Sequence, residues 1–266
     1  MAIYSVIFGV IVGFSLGLTG GGGSIFAVPL LVYGLSVTPH DAVGVSLAAV
    51  GITALVGTLE QLRARQIEVR TGLIFALAGM SGAPLGSWLA GQMSDTLLLV
   101  LFAILMVIVA ARMWKKAAAT GPQGCDSAKA STCKRDGSGQ LLMTSRCTIL
   151  LSIVGVVAGV LAGLFGVGGG FVIVPALVIF SGMGIHRAVA TSLLVITLIS
   201  ISGVSSHLLA GRSISPEITL LFVVGGIIGL FSSRAVGQRI SGPTLQRVFA
   251  GAIGAVAAFV IMRTLS

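Results

Sequence analysis

Gly17-Leu18-Thr19-Gly20-Gly21-Gly22-Gly23 lies inside a long apolar stretch and is followed by Pro29. Gly163-Leu164-Phe165-Gly166-Val167-Gly168-Gly169-Gly170 lies inside a second such stretch and is followed by Pro175. Laid over one another without a gap, residues 13–57 and 159–203 share Gly20/Gly166, Gly22/Gly168, Gly23/Gly169, Pro29/Pro175, His40/His186 and Ser46/Ser192. The pattern reads as one unit present twice. Each glycine in a helix interior costs roughly 1 kcal/mol relative to alanine, so runs of three or four predict that the helix unwinds there.

The rest of the chain says where these breaks sit. Charged residues make up 9% of the sequence, hydrophobic ones 56%, and mean hydropathy is +1.10. A soluble domain carries about 25% charged residues, so this chain could not cover its surface in water. Apolar stretches near the roughly 20 residues needed to cross a bilayer occupy about 41–62, 70–92, 96–111, 188–210, 217–233 and 248–262, with longer, broken ones at 3–35 and 147–181. The expected fold is an all-α polytopic membrane protein. Its first repeat covers 1–111, a polar linker 112–146, and its second repeat 147–266. A duplicated membrane unit whose helix is broken by glycine is the pattern of a secondary transporter.

The linker carries Arg112, Lys115, Lys116, Lys129, Lys134, Arg135 and Arg146 against Asp126 and Asp136. By the positive-inside rule it faces the cytoplasm. Anchoring it there places the Arg63–Arg70 turn inside and the His40–Asp41 and Asp95 turns outside. If the two repeats are inverted, Arg187, Arg234, Arg239 and Arg247 also fall inside and Arg212 and Arg263 outside; if parallel, the count reverses, so the rule favours inversion. Inversion requires an odd number of crossings per repeat. It is met if each broken stretch is two short helices that enter and return, followed by three full spans. A single tilted helix kinked at the glycines is the competing picture, and it makes the repeats parallel.

A freed backbone is costly in hydrocarbon and is tolerated where protein or a water-filled cavity surrounds it. A helix restarting after the glycines presents unpaired N–H groups and the positive end of its dipole, which suits an oxyanion. The candidate substrate-binding residues are therefore Thr19, Gly20, Gly21, Gly22, Gly23 and Ser24 in the first copy. In the second copy they are Gly166, Gly168, Gly169 and Gly170. The repeated phrase Ala-Val-x-x-Ser-Leu adds Ser46, Thr191 and Ser192, whose hydroxyls either meet a substrate or bond to a preceding carbonyl. An ionisable residue at membrane depth is a functional candidate, which singles out Glu60 and His207 for proton coupling.

Cys125, Cys133 and Cys147 match no common zinc spacing. In a cytoplasmic linker they are expected to be reduced, with Cys125 and Cys133 as candidates for redox sensing. No Walker A phrase, clustered metal ligands or nucleophile elbow appears, which argues against an ATP-driven pump, an enzyme, or a metal or cofactor site. Membrane lipid is an expected partner. Nucleic acid is not, because no reading module accompanies the basic linker.

Gly20-Gly21-Gly22-Gly23 with Pro29-Leu30-Leu31, Gly166-Val167-Gly168-Gly169-Gly170 with Pro175, and Ala188-Val189-Ala190-Thr191-Ser192-Leu193 with His207 and Gly211 resemble the sulfite exporter TauE/SafE family of permeases. The resemblance implies movement of small sulfur-containing or organic anions across a bacterial inner membrane. Sulfite, thiosulfate and sulfonates such as sulfoacetate are the substrate class it implies. Thr191 and His207 stand where the first copy has Val45 and Gln61, so the second repeat is expected to carry more of the polar chemistry. The expected site lies between the two breaks. A passive anion channel, or a membrane sensor using the linker cysteines, is the alternative.

Overall fold

The structure, a computed structural model, describes residues 2–119, 145–181, 183–212, 215–237, 251, 253–260 and 262. Every regular element among them is helical. Among the described residues, six helices are long and apolar enough to cross a membrane. The fold is thus the expected all-α, multi-pass arrangement. Cys125 and Cys133 lie outside the described residues. Cys147, buried at the start of α6, is disulfide-bonded. The expectation of a reduced thiol does not hold there, because it came from compartment, whereas bonding is decided by how closely two sulfurs are held.

Helix α1 (Ala2–Thr19) ends at the first glycine run. The chain resumes as α2 (Ser24–Gly34), which opens in a 3-10 turn and closes in a π-helical turn. Then follow α3 (Pro39–Arg63), α4 (Val69–Gln92) and α5 (Asp95–Ala119). Helix α6 (Ser145–Phe165) ends at the second glycine run, and α7 (Gly170–Ser181), α8 (Ile185–Leu209) and α9 (Pro216–Gly237) complete the series. A further helical segment, 253–260, brings Phe259 against Tyr33 of α2, ring centres 5.4 Å apart and nearly perpendicular.

Thr38, Pro39 and Asp41 start α3. The Thr38 hydroxyl accepts from the Asp41 amide at 3.3 Å and donates to the Asp41 carboxylate at 2.8 Å. Proline at the first helical position needs no N–H partner there.

Glycine sets the packing, because lipid supplies no hydrophobic force between helices and close backbone approach must replace it. On α6, Gly155, Gly159 and Gly163 face the carbonyls of Phe75, Gly79 and Ala83 on α4. On α1, Gly9 and Gly13 face the carbonyls of Phe222 and Gly226 on α9, and Gly17 faces Ser233. Residue numbers rise together in both series, so each pair runs parallel. By contrast α3 and α8 run antiparallel: Gly44 meets His207, Gly51 meets Ser200, and the Thr58 and Thr197 hydroxyls lie 3.4 Å apart.

These directions fix two ends of the bundle, one marked by His40 and the other by Arg63. Helix α1 starts at the His40 end, and α2 returns there to reach α3. Helix α6 starts at the Arg63 end, and α7 returns there to reach α8. Each broken stretch therefore enters and turns back, and the kinked single helix is not what forms. One detail differs from expectation. The first legs, with 18 and 21 residues, are nearly full spans, and only the return legs are short. The glycine runs lie near the far end of the first leg rather than at its middle.

The side chains sort as a lipid solvent demands. Leu77, Leu85, Trp88, Ile104, Ile149 and Leu220 point outward. Hydroxyls lie inside, where Thr53, Thr58 and Thr197 each donate to the carbonyl four residues back at 2.8 Å.

Candidate functional site

The two breaks are built from glycines in the left-handed region: Gly20 and Gly21 at φ 68° and 146°, Gly166, Gly168 and Gly169 at 70°, 66° and 68°. Glycine takes these angles without strain, which is why the runs can reverse the chain here. Gly20 and Gly21, and residues 166–170, are buried.

Each break is held by the opposite half of the chain. The Ser46 hydroxyl, on α3, donates to the Gly166 carbonyl at 2.6 Å. The Ser192 hydroxyl, on α8, donates to the Gly20 carbonyl and shares its hydrogen with Val189 O at 2.7 Å. Gly166 presses on Val43, and Gly20 on Val189, with a Cβ on either falling within 2.6–2.7 Å of the opposing Cα. The breaks also touch one another. A Cβ on Gly21 would lie 2.3 Å from Gly170 Cα, and one on Gly170 2.4 Å from Gly21 Cα. These two residues are thus in direct contact, with no space between them.

Several predicted hydroxyls are engaged within the protein. Thr19 donates to Ser15 O at 2.7 Å. Ser24, fully buried, donates to Gly21 O at 2.6 Å rather than capping the following helix. Thr191 is not at the breaks: it accepts the Glu68 amide at 3.1 Å and so closes the start of α4. In all these cases the backbone wins the competition for a short polar side chain. What remains at the second break is backbone. Among the described residues, the Val167, Gly168 and Gly169 amides donate to no backbone carbonyl, while Gly169 O accepts from the Val172 and Ile173 amides at 3.0 and 3.2 Å.

Glu60 and His207 fall at opposite ends of the α3–α8 crossing. Glu60 lines a cavity of about 30 Å³ at the Arg63 end, with Gln61, Gly17, Gly57, Leu193, Leu230 and Ser233. That is room for about one water. His207 is fully buried over Gly44, and neither ring nitrogen has a hydrogen-bond partner. Arg212, Asp41 and His40 are the titratable groups near enough to act on it electrostatically. His40 itself approaches Asp95 at 3.3 Å, and Arg212 rests over Gly91 of α4.

Sequence reasoning missed the polar tie at the Arg63 end, where Arg187 approaches Glu68 at 3.9 Å. It also missed Ser202, whose hydroxyl reaches Met80 O of α4 at 2.8 Å. Neither is marked by a motif; both depend on which helices lie side by side. Among the described residues no group of three or more His, Cys, Asp or Glu side chains is arranged to hold a metal ion.

Comparison with known proteins is consistent along the whole chain. The family described as Sulfite exporter TauE/SafE matches residues 5–260. A "Probable membrane transporter protein" of Xylella fastidiosa is 37% identical over 262 residues, covering 96% of this chain and 93% of its own length. "Probable membrane transporter protein YunE" of Bacillus subtilis is 29% identical over 251 residues, covering 91% of each. No solved structure matches this chain.

Proposed function

The chain belongs to the sulfite exporter TauE/SafE family of membrane transporters, and on that premise we propose that it is a secondary transporter of small sulfur-containing or organic anions. The observation that carries this reading is the pair of glycine breaks, buried and braced by Ser46 and Ser192, with unclaimed amides at the second. Anionic oxygens accept from backbone N–H groups without an arginine in hydrocarbon. The anion, sulfite or a relative such as thiosulfate or a sulfonate, lies against the flank of the second break.

Two inverted repeats moving about this site account for alternating access. What supports inversion is the exchange of partners between halves. Helix α1 packs on α9 as α6 packs on α4, α3 and α8 run antiparallel, and each break is held by the other half's serine. Charge supports an orientation. Arg63, Arg65, Arg70 and Arg187 lie at the end from which the basic linker departs, whereas Arg212 lies at the other. By the positive-inside rule the linker end is cytoplasmic, in a bacterial inner membrane.

The test is counterflow in proteoliposomes with labelled sulfite, thiosulfate and sulfoacetate. A carrier loaded with unlabelled anion shows a transient overshoot of label and saturates with concentration. Linear, non-saturating flux without overshoot would establish a passive channel and reject the carrier.

His207 and Glu60 are the proposed proton-coupling groups, one at each end of the crossing. A one-unit pH gradient coupled to one proton drives about tenfold accumulation, since each unit corresponds to about 1.4 kcal/mol. His207→Gln introduces the residue that the first repeat already carries at Gln61. It is expected to remove gradient-driven accumulation while counterflow survives at a reduced rate. Unaltered accumulation in the variant would exclude His207 from coupling.

A further inference from the structure

We propose that Ser200 is the side chain that selects the anion at the second break, donating its hydroxyl hydrogen beside the Gly168 amide; the inference rests on the reading that the breaks hold the anion. Ser200 is 1% exposed, and its hydroxyl has no hydrogen-bond partner among the described residues. That is unusual for a buried serine on a helix, which ordinarily donates to the carbonyl one turn back. Its neighbours on α8 do so: Thr197 to Leu193 O at 2.8 Å, Ser205 to Ile201 O at 2.8 Å, and Ser206 to Ser202 O at 2.9 Å. Ser202 reaches Met80 O on α4 instead, whereas Ser200 is left with no partner among the described residues, and buried polar groups without partners call for an explanation.

Its surroundings supply one. On one side lies Gly51 of α3, where a Cβ would come within 2.6 Å of the Ser200 Cβ. On the other lies Gly168, where a Cβ would stand 3.8 Å from the Ser200 Oγ. The hydroxyl therefore faces the break at the glycine whose own amide has no backbone acceptor. The hydroxyls of Thr19, Ser24, Ser46 and Ser192 are already held by carbonyls. A hydroxyl without a partner and amides without a backbone acceptor lie on two adjoining elements with nothing among the described residues to accept from them, which suits an oxyanion. The position in the first repeat that corresponds to Ser200 is Ala54. One break alone thus offers a side-chain donor, and the substrate class is an anion with at least two acceptor oxygens.

Ser200→Ala tests this with unfolding midpoints and transport kinetics, using sodium sulfite, thiosulfate and sulfoacetate as probes. The variant loses no bond within the protein, so without anion its midpoint is expected to equal or exceed that of the wild type. It should need about 10–100-fold more anion for the same stabilisation, the loss appropriate to one hydrogen bond to a charged group. KM should move rather than the maximal rate, and Ser200→Thr should restore affinity. If the wild type responds to an anion and Ser200→Ala responds equally, the proposal alone is overturned. A variant midpoint well below wild type without anion also overturns it, because the hydroxyl then has a structural partner. If none of the anions shifts the wild type, the anion reading fails and this inference fails with it.

Discussion

Replacing Gly159 by leucine should leave no folded protein to purify. A Cβ at that position would lie 2.0 Å from Gly79 O, with the Gly79 carbonyl carbon and Cα within 2.8 Å, so the obstacle is backbone. Extra atoms in a well-packed core typically cost 1–3 kcal/mol when side chains can give way. Here a whole helix must retreat, and in lipid nothing apolar is gained by leaving a gap. The loss is expected to exceed about 5 kcal/mol, comparable to the net stability of a domain. Gly13→Leu should behave alike, since its Cβ would fall 1.9 Å from Gly226 O. Gly184→Ala is the control: nothing lies within 4 Å of a Cβ there. The measurement is the monodisperse fraction on size exclusion in detergent. A Gly159→Leu protein that elutes like the wild type would mean that α4 and α6 do not touch as described.

The second large effect is expected from Ser46→Ala combined with Ser192→Ala. Each change leaves a buried carbonyl, Gly166 O or Gly20 O, without its side-chain donor. An unsatisfied buried group costs about 1–3 kcal/mol, so the pair should lower stability by roughly twice that and lower transport with it. Its signature is opposite to that of Ser200→Ala. Loss of the braces lowers the unfolding midpoint and the maximal rate, because the breaks are no longer held in place. Loss of an anion ligand leaves the midpoint and raises KM. A double variant as stable as the wild type, with only KM increased, would show that these serines are ligands instead.

The contrast between Ser46 and Ser200 shows how far sequence reading reaches. Ser46 and Ser192 stand out because their phrase occurs twice. In the structure each of these hydroxyls holds the other half's chain. Ser200 belongs to no repeated phrase, for Ala54 is its counterpart. It becomes visible only when Gly51 and Gly168 are seen on either side of it. Thr191 shows the converse. It sits in a repeated phrase beside Ser192, yet one residue along a helix turns it by about 100°, toward Glu68 instead of the breaks.

The amino-acid order alone determined that the chain lives in a membrane, that a glycine-rich phrase recurs in it, and that its helices break at Gly20 and Gly166. Those properties follow from composition and from the left-handed angles that glycine adopts without strain, and both are local. The tertiary structure decided that the chain reverses at the breaks, that Gly21 meets Gly170, and which hydroxyls are left to donate. These depend on helices more than a hundred residues apart coming within a few ångströms, and the energy of a hydrogen bond is set by where its partner lies in space.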